Sequence, residues 1–165
     1  MGAARKRRPD SRGPRPSGWK CSTCGGLITR VEDGWVEWLA CEEDGVPYTK
    51  GVRLVHRAAV AGTQGCQYDA RREFQRERGI AEGLPLERFV GADGLMLLLS
   101  LISSRDMPAH EIIELAKRVQ IPGYELARKE LQIATKSGSL TPAIGKGFYL
   151  QSEIRTVLLW VARAA

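Results

Sequence analysis

Apolar residues repeat with two different periods along the chain. Between residues 34 and 56 the pattern is short and pleated. Gly34-Trp-Val-Glu-Trp-Leu-Ala40 sets Trp35, Glu37 and Leu39 on one side and Val36, Trp38 and Ala40 on the other, with the aromatic and branched content of a strand. Glu42-Glu-Asp-Gly45 reads as the turn that follows, Asp-Gly being a strong hairpin signal. Gly51-Val-Arg-Leu-Val-His56 predicts a second strand, with Val52, Leu54 and His56 facing one way and Arg53, Val55 and Arg57 the other. Asp69 can cap a polar helix, Ala70-Arg-Arg-Glu-Phe-Gln-Arg-Glu-Arg78, whose single apolar anchor is Phe74 and which Gly79 and Gly83-Leu-Pro85 end.

After residue 91 the period becomes helical. Asp93 caps a predicted helix over 94–104, and Pro108 opens a second over 108–119, where Ile112, Leu115, Ala116 and Val119 share one face. Pro122-Gly123 breaks the pattern. A third helix over 124–136 buries Ala127, Leu131 and Ala134, supported by Leu126 and Ile133, and Ser137-Gly138 stops it. Beyond a glycine-rich stretch to Leu150, Ser152 caps a last helix with Ile154, Val157, Leu158 and Val161 on its apolar face. No internal repeat is present. The expected fold class is α+β: a tail at 1–18, a small β module at 19–68, a charged helix or linker at 69–91, and a mostly α-helical domain at 92–165.

Composition narrows the compartment. The chain has 165 residues, 43% of them hydrophobic, enough for one domain or for a metal-stapled module with a compact second domain. No run reaches the roughly 18 apolar residues of a membrane helix; the longest, Leu95-Met-Leu-Leu-Leu-Ser-Leu-Ile102, is interrupted by Ser100. No apolar segment follows the basic N-terminus, so a secretory signal is not expected and a cytoplasmic, reducing setting is. There the four cysteines read as metal ligands or free thiols rather than disulfides.

The charge is concentrated at one end. Residues 1–20 carry Arg5, Lys6, Arg7, Arg8, Arg12, Arg15 and Lys20 against Asp10 alone, which accounts for the whole net charge of +6. Rich also in Pro and Gly, this segment cannot bury a core and is expected to be a disordered arm able to contact phosphates without sequence preference.

The chemistry lies in Cys21-Ser-Thr-Cys24-Gly-Gly. Two intervening residues let both sulfurs face one ion, and the glycines permit the left-handed turn that this needs. Cys41, His56 and Cys66 are the candidates for completing a tetrahedral site. His56 and Cys66 are expected: His56 ends a strand, and Cys66 precedes a helix whose N-terminal partial charge favours a thiolate. Cys41 in place of His56, giving a four-cysteine site, stays open. The expectation is one structural Zn2+ per chain on Cys21, Cys24, His56 and Cys66. A redox CxxC is disfavoured because Gly25-Gly26 would break the helix that such a motif opens.

Cys21-x-x-Cys24-Gly-Gly, a Trp-containing strand pair, and a later His and Cys before a helix resemble a treble-clef or zinc-ribbon finger over residues 19–75. The second ligand pair departs from the usual spacing, His56 and Cys66 being nine residues apart where two are typical. Such modules serve DNA, RNA and protein partners alike, so the resemblance implies a scaffold and no one function. Residues 108–150 resemble a winged helix-turn-helix, with Gly138 to Leu150 as the wing. That resemblance implies that the 124–136 helix enters a groove, its polar face being Glu125, Arg128, Lys129, Gln132 and Lys136.

No catalytic residue is expected. His110-Glu111 lacks the second histidine of a metalloprotease helix, and Gly145-Lys-Gly147 is too short to cradle a phosphate. The expected function is therefore non-enzymatic, with no small-molecule substrate and no membrane partner. The first reading is a zinc-binding regulator that contacts nucleic acid through Arg5, Arg7, Arg8, Arg128, Lys129, Gln132 and Lys136. The alternative is a zinc-stapled protein-interaction module, of the kind phage and mobile elements direct at host proteins, with Trp35 or Trp38 as its anchor.

Overall fold

In the computed structural model, β1 (Trp19–Lys20) pairs antiparallel with β2 (Leu27–Ile28), folding the cysteine knuckle between them back on itself. The structure describes residues 18–58, 65–104 and 106–164, so Arg5, Arg7 and Arg8 and nearly all of the expected tail lie outside the described residues. The fold class is α+β, as expected.

A turn of 3-10 helix at Val31–Asp33 leads into β3 (Gly34–Glu43), which a hairpin joins to β4 (Val46–His56). Asp44 and Gly45 both take positive φ, 53° and 79°, the geometry that matches the twist of paired strands. The register shifts between Glu37 and Leu39, where Trp38 alone faces Gly51 and Val52 of β4; Gly51 takes φ 69° at this bulge, and Glu37 stands opposite Arg53.

Asp69 caps α1 (Ala70–Glu77), accepting from the backbone N–H of Arg72 at 3.1 Å. The anchor of α1 differs from expectation. Phe74 is exposed, with the Arg78 guanidinium 5.2 Å from its ring centre, and the buried side chain is Glu73, paired to Arg76 at 2.8 Å. Gly83-Leu-Pro85 does not terminate a helix either. It belongs to β5 (Ile80–Pro85), which pairs antiparallel with β3 and completes a sheet of order β4-β3-β5. The segment has little intrinsic strand preference; the free edge of β3 supplies the pairing that its composition does not. Proline at its last position is tolerated because the strand is an edge. Gly83 is there for space: a Cβ would lie 2.4 Å from Trp35 Nε1 and 2.5 Å from the Val36 carbonyl oxygen.

A second 3-10 turn, Leu86–Phe89, drives two fully buried side chains into the core and leads to α2 (Gly91–Ser104), α3 (Ala109–Gln120), α4 (Tyr124–Lys136) and α5 (Gln151–Ala164). The helices fall close to their predicted places, but Asp93 sits in the first turn of α2 and Ser152 within α5 rather than at caps. Between α4 and α5 the structure has an isolated bridge from Gly145 to Phe148 in place of the two strands of a wing. This segment is too rich in Gly and Pro to sustain a ladder.

Two apolar clusters result. The first joins Cys21, Ile28, Val36, Leu54, Val55 and Cys66 to Leu86, Phe89, Leu98, Ile112 and Leu115, so one core runs from the knuckle through the sheet to α2 and α3. The second packs Tyr124, Ala127 and Leu131 of α4 against Ile154 and Val157 of α5. Leu126 and Ile133, expected inside, are exposed, because α5 covers only the Ala127–Leu131 side of α4.

Replacing Gly83 by Val forces a side chain into the space held by Trp35. Overpacking of this kind costs about 1–3 kcal/mol, so the Gly83→Val protein should unfold at a lower urea midpoint, and an unchanged midpoint would contradict the packing of β5 on Trp35.

Candidate metal centre

Three local structures bring the ligands together. The knuckle is held by the Cys21 N–H to the Gly26 carbonyl at 2.8 Å and the Gly25 N–H to the Cys21 carbonyl at 3.0 Å. Gly25 takes φ 71°, and at Gly26 a Cβ would approach Cys24 Sγ to 3.2 Å and the His56 ring to 3.3 Å. The Gly-Gly pair therefore supplies the turn and leaves room for the imidazole. His56 ends β4, and Cys66 arrives from the segment before α1.

The donor atoms of Cys21, Cys24, His56 and Cys66 all lie within 4.8 Å of one another. Cys24 Sγ is 3.4 Å and Cys66 Sγ 3.7 Å from the same atom, His56 Nδ1. Thiolates and an imidazole on a tetrahedral zinc-sized ion stand about 3.6 Å apart, given bonds of about 2.3 and 2.0–2.1 Å. The other ring nitrogen, Nε2, is 3.4 Å from the Leu27 carbonyl oxygen, the partner that would orient the ring and leave Nδ1 for a metal. The Gly26 N–H points at Cys24 Sγ at 3.4 Å, a donor suited to a thiolate.

The three thiols do not ionise alike. Burial pushes the Cys66 thiol up to about 12, reinforced by the neighbouring Cys24 and Cys21 sulfurs. At Cys21 burial works in the same direction, but hydrogen bonds from the knuckle backbone and the Cys24 thiol outweigh it and bring that group down to about 6. Three sulfurs this close cannot all ionise alone, and a divalent ion removes the conflict. Cys66 was expected to gain from a helix N-terminus. Its cap, Asp69, lies three residues further on, and burial dominates instead. All four cysteines are free thiols, and Cys41 is buried on β3 outside the cluster, so the four-cysteine alternative does not match this arrangement.

Two polar networks hold the site, and neither was foreseen. In the first, buried Glu37 accepts from Arg53 Nε at 2.7 Å and from the Tyr68 N–H at 3.1 Å. The Arg53 guanidinium stacks 3.5 Å from the Tyr68 ring centre, and the Cys66 carbonyl accepts from Arg53 at 3.3 Å and from Thr23 at 2.7 Å. Burial raises the Glu37 carboxyl above its ordinary range in spite of these donors. In the second network, Arg118 of α3 and Glu125 of α4, 7% and 2% exposed, form a two-point pair at 2.8 and 2.9 Å. Arg118 also donates to the Lys20 carbonyl at 2.6 Å and to Ser22 Oγ at 3.1 Å, and the Lys20 N–H donates to Glu125 at 2.8 Å. Lys20 and Ser22 flank Cys21, so the helices grip the knuckle on both sides of a ligand. Glu37 carried a sequence signal, a carboxylate in line with Trp35 and Leu39. Arg118 had a weaker one, three residues after the core residue Leu115.

This geometry corrects the proposed groove-reading face. Glu125 is buried, and Arg128 is drawn onto it at 3.2 Å, leaving Lys129, Gln132 and Lys136 exposed on α4. The tryptophans are corrected as well. Trp35 and Trp38 are both partly buried against the first core cluster, Trp38 Nε1 donating to Glu82 at 3.0 Å, whereas Trp160 is the exposed one. His110 is on the surface, and among the described residues no helix is long and apolar enough to cross a membrane. Comparisons with models of known families, with curated proteins and with solved structures find no match for the chain.

Serine at Cys21, Cys24 or Cys66, or alanine at His56, should abolish bound metal in elemental analysis, while Cys41→Ser keeps one ion per chain; metal lost with Cys41 and kept without His56 would refute the assignment. Arg118→Ala strands the Glu125 carboxylate in the interior and should cost about 3–5 kcal/mol in denaturant unfolding, most of it recovered in an Arg118→Met/Glu125→Leu double variant.

Proposed function

We propose that Cys21, Cys24, His56 and Cys66 hold a structural zinc ion and that the protein is a non-enzymatic scaffold presenting basic surfaces to nucleic acid. Three thiols and one imidazole with their donor atoms within 4.8 Å of one another are a donor set that selects zinc among the common divalent ions. Four protein donors leave no open position for a substrate or an activated water, which is the mark of a structural site.

The observation that carries the nucleic-acid reading is the bond from the Lys20 N–H to Glu125 at 2.8 Å. It anchors the chain just after its basic N-terminal run beside the first turn of α4. The six bases between Arg5 and Arg15 precede that anchor in the sequence, and α4 itself exposes Lys129, Gln132 and Lys136. Lysines and arginines of this kind suit phosphate contact without sequence preference. The loss of Glu125 and Arg128 from the outer face, and the absence of a paired wing among the described residues, favour gripping of the backbone over reading of bases.

Binding to duplex DNA or RNA should fall steeply with salt. Deleting residues 1–17 should reduce the slope of log K against log salt by roughly 0.9 for each base that touches a DNA phosphate, and Lys129→Ala/Lys136→Ala should reduce it further. Arg128 is unsuited to this test because its loss also disturbs Glu125. Undiminished affinity in both variants would overturn the reading.

A further inference from the structure

We propose that the outer face of α5 is a docking surface for an acidic amphipathic segment of a protein partner, with Trp160 as its anchor. The inner face of α5 is fully used: Ile154 and Val157 are buried with Leu158 and Val161 beside them. The opposite face nevertheless carries Leu159 and Trp160, 63% and 62% exposed. All four tryptophans of the chain are described, and the other three are partly buried against the first core cluster. Exposed Trp next to Arg is the composition of an interface hot spot rather than of a solvated helix face.

Charge identifies the occupant. Arg155, Leu159 and Arg163 follow one another at i, i+4 and i+8, so two guanidiniums stand about 12 Å apart on either side of the leucine. Both are exposed and, among the described residues, neither has an ion-pair partner. The one acid of α5, Glu153, lies two turns before Trp160, and its carboxylate is taken up there by the Leu150 N–H at 2.6 Å and the Ala143 N–H at 3.1 Å. The complement of an apolar centre between two cations is an apolar side chain between two carboxylates, as an amphipathic helix presents them. A second copy fits less well, because two-fold pairing through this face sets arginines against arginines. A phosphate backbone satisfies the arginines and leaves Leu159 unburied.

The test uses the full, metal-loaded chain and three labelled synthetic amphipathic peptides of roughly five helical turns, or 18 residues. They share Leu and Phe positions and carry Glu, Gln or Lys beside them. Fluorescence anisotropy should show the Glu peptide binding at least about tenfold tighter than the Lys peptide. Trp160→Ala should weaken it about tenfold or more, and Arg155→Glu/Arg163→Glu should invert the charge preference. These positions are exposed, and thermal melts confirm that each variant folds. Equal binding of the three peptides, or full affinity in Trp160→Ala, overturns the proposal. So does sedimentation showing a dimer that Trp160→Ala dissolves, which assigns the face to a second copy. Displacement of the Glu peptide by an oligonucleotide whose own binding requires Arg155 and Arg163 overturns it in favour of nucleic acid.

Discussion

The buried pair of Arg118 and Glu125 is the constraint on which the arrangement of the molecule depends. Each side chain is a net charge taken out of water, and each is tolerated because the other meets it at two points, because Lys20 and Ser22 accept two more guanidinium N–H bonds, and because the Lys20 N–H donates to the carboxylate. The pair thus closes a circuit between three parts of the chain distant in sequence: the knuckle, the end of α3 and the start of α4. Hydrophobic burial gives the second cluster cohesion, but it is non-directional. The charged pair sets where α4 sits relative to the metal-binding loop.

The metal centre supplies the complementary half of the account. A structural zinc contributes an apparent roughly 10–16 kcal/mol in small fingers at neutral pH, comparable to or above the whole stability of a domain, about 5–15 kcal/mol. The knuckle has six residues and its two-stranded pairing four, so a metal bound by three thiols and an imidazole would add to the two polar networks that keep the cluster together. Cys21 and Cys66 themselves belong to the first core cluster, so an ion held there would organise the hub from which the sheet and α3 extend. Order at the knuckle and order at the α3–α4 corner are therefore expected to rise and fall together.

Much of this was legible in the residues alone. The Asp44-Gly45 turn, the ends of α4 and the Cys21–Cys24 half of the cluster follow from short-range signals: a dipeptide that accepts positive φ, a helical period bounded by Gly123 and Ser137, and a Cys-x-x-Cys-Gly-Gly knuckle. What was not legible depends on partners far along the chain. β5 exists because β3 offers an edge, and Ile80 to Pro85 have no local reason to be extended. Glu125 lay at the right period for a solvent-facing position, and only the arrival of Arg118 and Lys20 makes it an interior residue. Leu126 and Ile133 had the hydrophobicity of core positions but face away from α5, which packs the Ala127 and Leu131 side of α4. Periodicity gives the face of a helix and leaves open which face a partner will take.

Through Arg118 and Glu125, the cysteine knuckle and the α3–α4 corner are expected to form one cooperative unit. Amide hydrogen exchange, compared between the metal-loaded and chelator-stripped protein, addresses it directly. The account predicts that stripping the metal removes protection at the knuckle and also at the end of α3 and the first turns of α4, while an Arg118→Met/Glu125→Leu chain confines the loss to the knuckle and its sheet. Full protection of α4 in the stripped protein would contradict the account and make the two halves energetically independent.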